Sequence, residues 1–105
     1  MRIANFKNNP RILENVEAIY VGRFNAFYQL PQSVLANPFP VTTVVSREQS
    51  ILKFRDWIRD KAAKKDELVL AALEDITERS ILVCWCYPLP CHAREIWNIW
   101  KELRS

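Results

Sequence analysis

Hydrophobic residues in the middle of the chain recur at the spacing of an α-helix. They are Ile51, Phe54, Trp57 and Ile58. Ser46 and Gln49 precede them in a capping-box pattern, in which two side chains satisfy free backbone groups of the first helical turn. The period and the cap together predict a helix over residues 47–63.

Two later segments have the same period. One contains five apolar residues after a charged break at residues 64–66: Leu68, Val69, Ala72, Leu73 and Ile76. It predicts a second amphipathic helix that ends near Arg79. The other contains Ile96, Ile99, Trp100 and Leu103. It predicts a helix that starts at Cys91 and closes the chain.

Three shorter segments have the composition of strands. Residues 81–85 are apolar on both faces of the pleat, which predicts a central strand near residues 81–86. Residues 18–21 are a β-branched and aromatic run that stops at Gly22, where we expect a loop that needs an unrestricted backbone. Residues 1–7 alternate weakly and predict a short first strand.

These elements predict a small α/β domain, a short sheet with helices packed on it, whose central strand is followed by the C-terminal helix. A chain of 105 residues is too short for two domains, so we expect one domain over residues 1–105. Between residues 24 and 45 no period is sustained and three prolines interrupt the chain. Such a long irregular stretch in a small domain is often functional.

Composition narrows the classes of function. The one glycine, Gly22, excludes phosphate-binding loops built from several glycines. The net charge of +3 is compatible with an anionic partner but does not by itself indicate nucleic acid. The sequence has no run of 18 apolar residues, and residues 1–11 are too polar for a signal peptide. We therefore expect a cytoplasmic protein that does not enter a membrane.

All three cysteines and the one histidine lie within nine residues: Cys84, Cys86, Cys91 and His92. An odd number of closely spaced cysteines indicates a reducing compartment rather than a secreted disulfide framework. Cys91 and His92 are predicted at a helix N-terminus, where free amides and the helix dipole favour a thiolate. Cys91 is therefore expected to be the most reactive thiol.

Three interpretations of this cluster stay open. The four side chains form a Cys3His set that could hold zinc, although their spacing is not that of common zinc knuckles. Cys84, in a central strand, is more simply a small core residue. Cys91 and His92 either cap the last helix or form part of an anion or substrate site, because α/β proteins place such sites where a helix follows a central strand.

Several short motifs occur in a fixed order along nearly the whole chain. They are Tyr20-Val21-Gly22-Arg23, Asn37-Pro38-Phe39, Arg47, Trp57 and the segment from Leu82 to His92. In this order they resemble an uncharacterised family common in bacteriophage and bacterial genomes, catalogued as domain of unknown function four-three-two-six. The chain departs from the family pattern at Ala36 and Ala93, where glycine is usual.

The resemblance implies one pocket formed by residues that are distant in sequence. The residues expected there are Gly22, Arg23, Asn37, Arg47, Cys91 and His92. The first hypothesis is that this pocket binds or processes a phosphate-bearing ligand, a nucleotide or the end of a nucleic acid. Arg23 and Arg47 would hold the anion, and Cys91 and His92 would act as nucleophile and acid or base.

The alternative hypothesis is a non-catalytic adaptor that presents an aromatic surface to a host protein, with structural or zinc-bound cysteines. Two observations discriminate between these hypotheses. An exposed Trp97 favours the adaptor. Convergence of Arg23, Asn37 and Cys91 in one cleft favours the ligand site.

Overall fold

A computed structural model, which describes all 105 residues, has a parallel sheet of three strands at its centre. The strands are β1 (Arg2–Asn5), β2 (Ala18–Tyr20) and β3 (Ile81–Cys84). Their order is β1-β3-β2, so β3 is central as predicted. Leu82 pairs with Ile3 of β1 on one side and with Ile19 of β2 on the other.

Three α-helices accompany the sheet: α1 (Arg47–Ala63), α2 (Glu67–Glu74) and α3 (His92–Arg104). Together with the parallel sheet they confirm the predicted α/β class. The capping box of α1 is also confirmed, because the Ser46 hydroxyl accepts from the Gln49 amide at 3.1 Å and the Gln49 side chain accepts from the Ser46 amide at 2.9 Å. None of the helices is long and apolar enough to cross a membrane.

Helix α2 ends at Glu74, whereas its hydrophobic pattern predicts an end near Arg79. Ile76 still lies in the core, but its carbonyl accepts from the Trp100 indole and the Arg104 guanidinium, each at 3.0 Å. These bonds come from α3, so no local pattern could reveal them. The strand prediction was also too long, since β3 ends at Cys84 rather than near residue 86.

The core lies on both faces of the sheet, as the apolar sequence of β3 predicts. On one face Leu82 belongs to a cluster of 15 buried residues that includes Phe54 of α1 and Ile96 of α3. On the other face Val83 belongs to a smaller cluster beneath a short 3-10 helix at Pro10–Glu14. All four residues of β3 are buried. The apolar row predicted for α3 includes Leu103, but this residue is 52% exposed, and the buried row ends at Trp100.

Candidate functional site

A cleft of about 470 Å³ lies where β2 and β3 end and α3 begins. Because all strands are parallel, the segments that follow them leave from the same edge of the sheet, the usual location of ligand sites in α/β folds. The structure brings every residue predicted for the pocket or for zinc to the wall of this cleft. They are Gly22, Arg23, Asn37, Arg47, Cys84, Cys86, Cys91 and His92.

Gly22 is buried at the end of β2, beneath the ring of Tyr20. A Cβ atom at position 22 would lie 2.5 Å from Cζ of Tyr20. The ring is fixed in place, since the Tyr20 hydroxyl donates to the Arg23 carbonyl at 2.6 Å and accepts from the Trp85 indole at 2.9 Å. The expectation that Gly22 needs an unrestricted backbone is wrong, because its φ is not positive. Lack of space for a side chain explains the glycine.

Arg23 and Arg47 are the two permanent cations of the cleft. Arg23 is exposed, and its Nε donates to the main-chain oxygen of Asn37 at 2.7 Å. Arg47 is the first residue of α1, and its Nη1 lies 3.4 Å from the carbonyl oxygen of Pro90. Neither guanidinium forms a salt bridge. No Asp or Glu lines the cleft, so the two guanidinium groups are its only permanently charged side chains.

Asn37 is buried, and its side chain is fully used inside the protein. Its Nδ2 donates to the Ser50 hydroxyl at 2.9 Å, while its Oδ1 accepts from the Phe39 amide at 2.8 Å. The Ser50 hydroxyl in turn donates to the Phe39 carbonyl. This network fastens the irregular segment onto α1, which assigns Asn37 a positioning role beneath Arg23.

Ser50 is a cleft residue that sequence reasoning missed. It is 2% exposed and lies four residues before Phe54 on the buried row of α1. The sequence feature that could have indicated Ser50 is its position in the apolar row of α1. A hydroxyl buried in such a row needs a hydrogen-bond partner.

Cys84 and Cys91 form a buried thiol pair whose sulfur atoms are 3.4 Å apart. The hydrogen bond from Cys91 lowers the pKa of Cys84, and the backbone amides of Tyr87 and Cys86 lower it further. As donor beside that sulfur, Cys91 has a raised pKa, and burial raises it further. The expectation that Cys91 is the most reactive thiol stays a prediction. Its burial and its contact with Cys84 both oppose the effect of its place at the N-terminus of α3.

His92 is buried, and its Nε2 lies 2.7 Å from the carbonyl oxygen of Val21. Burial lowers the pKa of His92 to about 4, so the ring is neutral at pH 7 and Nε2 carries the proton that bonds to Val21. The ring also packs edge-on against Phe54, with centroids 4.9 Å apart. The hydrogen bond to Val21 ties the start of α3 to the end of β2, which favours a structural role for His92 over the predicted role as acid or base.

The geometry does not support the zinc interpretation. No group of three or more His, Cys, Asp and Glu side chains is arranged to hold a metal ion. The three cysteines and His92 line the same cleft without surrounding a common point, and Nε2 of His92 is already bonded to the Val21 carbonyl.

Comparison with known proteins gives a family but no function. The model of the domain of unknown function DUF4326 matches residues 4–102. The chain therefore belongs to that family, which confirms the resemblance seen in the sequence motifs. No curated protein and no solved structure matches the chain. The match shows the family alone and no activity.

Proposed function

We propose that the cleft binds a phosphate-bearing ligand, a nucleotide or the end of a nucleic acid, through Arg23 and Arg47. The observation that carries this proposal is the pairing of two guanidinium groups from separate segments in a cleft without a carboxylate. A cation in the first turn of a helix is slightly unfavourable, and although Glu48 stands in the same turn, Arg47 forms no salt bridge with it or with any other carboxylate. A bound anion would supply the missing partner.

The chemistry of the wall suits a phosphate group. Guanidinium groups bind tetrahedral oxyanions through planar pairs of N–H donors, and a helix N-terminus adds free amides and a favourable dipole. The N-terminus of α3 contributes Cys91 and His92 to the wall. The cleft volume lies in the range of small-molecule sites, and the rings of Phe24 and Trp85 line it where a planar base could stack.

Binding is better supported than catalysis. The predicted nucleophile, Cys91, is buried with a raised pKa, and His92 has its proton engaged by the Val21 carbonyl. The adaptor alternative is less well supported, because Trp97 is only half-exposed and packs against the core. The guanidinium of Arg94 covers its ring at 4.5 Å.

The proposal is tested by calorimetric titration with adenosine monophosphate, a 5′-phosphorylated oligonucleotide and inorganic phosphate. Adenosine serves as the phosphate-free probe. Arg23→Ala and Arg47→Ala should each weaken binding of the phosphorylated probes by about tenfold, roughly 1.4 kcal/mol. Arg23→Lys should recover only part of the loss, because lysine lacks the planar fork.

Arg79→Ala is the matched control, since Arg79 is exposed, forms no salt bridge and does not line the cleft. Its affinity should equal that of the original chain. The melting temperature of the Arg23 and Arg47 variants should change little, because each guanidinium forms one hydrogen bond to a carbonyl and no salt bridge. The proposal is overturned if none of the phosphorylated probes binds, if adenosine binds as tightly as its monophosphate, or if Arg79→Ala weakens binding equally.

A further inference from the structure

We propose that Cys84 and Cys91 form a redox-active dithiol that reduces small hydroperoxides at the base of the cleft and becomes a reversible intramolecular disulfide. The proposal starts from geometry. The two sulfur atoms are 3.4 Å apart, and a disulfide bond needs about 2.05 Å, so they must approach by little more than one ångström. No other atom has to leave the space between them.

The surrounding chain allows this approach. Cys84 is the last residue of β3, and Cys91 is the residue just before α3. The six residues between them, 85–90, lie outside helices and strands, and residues 87–90 are exposed. The cysteines are therefore joined by a turn that lies outside the sheet and the helix and is bonded to the sheet through Asn5, which donates to the carbonyls of Trp85 and Tyr87.

Access to the pair is restricted by size. Cys84 is 1% exposed and Cys91 is 6% exposed, yet both form part of the cleft wall. A small neutral oxidant can reach sulfur through the cleft, whereas a bulky alkylating reagent is excluded. Cys86 lines the same cleft and is half-buried, so it is the thiol that larger reagents meet first.

The chemistry balances with a hydroperoxide as the oxidant. The Cys84 thiolate attacks the terminal oxygen, the O–O bond breaks, and the alcohol or water leaves with one proton while Cys84 becomes a sulfenic acid. The Cys91 sulfur then attacks Cys84, the S–O bond breaks, and the Cys91 proton leaves with the hydroxide as a second water. Two thiols are oxidised and one peroxide is reduced. Two equivalents of an external thiol restore the pair.

The decisive variant is Cys86→Ser, because it leaves only Cys84 and Cys91. The reduced variant is treated with one equivalent of hydrogen peroxide, blocked with N-ethylmaleimide under denaturing conditions and weighed by mass spectrometry. We expect a monomer that has lost two hydrogens and both blockable thiols, and that regains them with dithiothreitol. The folded variant should oxidise at least about tenfold faster than the same variant in urea.

Three results would each overturn the proposal. They are retention of both thiols, stable oxygen adducts without a disulfide, and equal rates in the folded and urea-unfolded variant. Cys84→Ser and Cys91→Ser, checked by circular dichroism for folding, should not form a disulfide at the rate of the original chain. Arg79→Ala, which lies outside the cleft, keeps both thiols and should form the disulfide at the rate of the original chain. Peroxide oxidation is measured without any phosphorylated probe, so this inference and the proposed phosphate site fail separately.

Discussion

The Nε2 atom of His92 lies 2.7 Å from the carbonyl oxygen of Val21, a residue 71 positions earlier in the chain. The bond joins the first residue of α3 to the residue that follows β2, so it closes one wall of the cleft. The ring is buried, and burial lowers its pKa so that it is neutral at pH 7.

Burial of the His92 ring predicts how stability depends on pH. The folded-state pKa of His92 is about 4, whereas its ordinary value is 6.5, so the unfolded chain binds the proton first as the pH falls. The contribution of His92 to the free energy of unfolding is therefore complete above about pH 7 and is lost progressively as the pH falls towards 4. Between pH 7 and pH 5 the free energy of unfolding should fall by about 2 kcal/mol on this account.

Urea unfolding at pH 7 and pH 5 measures this loss. His92→Gln is the informative variant, because its side-chain amide can donate to the Val21 carbonyl but does not titrate. It should be less stable than the original chain at pH 7 and show a much smaller decrease at pH 5. An unchanged pH dependence in the variant would mean that other groups account for it.

The central strand predicts a large cost for cavity formation. Leu82 is fully buried in the middle of β3, between Ile3 and Ile19 of the flanking strands. Leu82→Ala should lower the free energy of unfolding by roughly 2–5 kcal/mol, a large share of the stability of a small domain. Leu103→Ala removes the same atoms from a residue that is 52% exposed and should cost less than about 1 kcal/mol. Similar values for both variants would contradict the described core.

Gly22 predicts a non-additive pair of substitutions. Gly22→Ala places a methyl group against the Tyr20 ring, which is held by two hydrogen bonds, and should destabilise the protein by about 1–3 kcal/mol. If lack of space is the cause, the same substitution should cost much less in a Tyr20→Ala background. Chemical denaturation of the four proteins in this cycle measures the coupling. Additive costs would show that the ring is not the obstacle.

The cysteines predict an order of alkylation. With iodoacetamide at pH 7 the half-buried Cys86 should react first, and the buried pair Cys84 and Cys91 should react at least about tenfold more slowly. Peptide mass mapping after short reaction times, with each Cys→Ser variant as a reference, assigns the modified residue. Preferential modification of Cys91 would support the view that the start of α3 controls thiol reactivity.

Elements with local signals could be predicted from the amino-acid sequence. The capping box at Ser46 and the apolar row after it fix α1, and the consecutive apolar residues of β3 identify a strand buried on both faces. Both signals are readable because a cap and a hydrophobic period depend on residues within a few positions of each other. The family motifs likewise indicated that Arg23, Asn37, Arg47 and Cys91 meet, and all four line one cleft.

The ends of the elements and the chemical state of the site residues depend on contacts between segments that are distant in sequence. Helix α2 stops early because the Ile76 carbonyl is taken by two side chains of α3. The protonation of Cys91 depends on a sulfur atom seven residues away, and that of His92 depends on the burial of its ring. Local sequence places a thiol or an imidazole at a helix N-terminus, but its pKa is set by burial and by neighbours that folding brings to it.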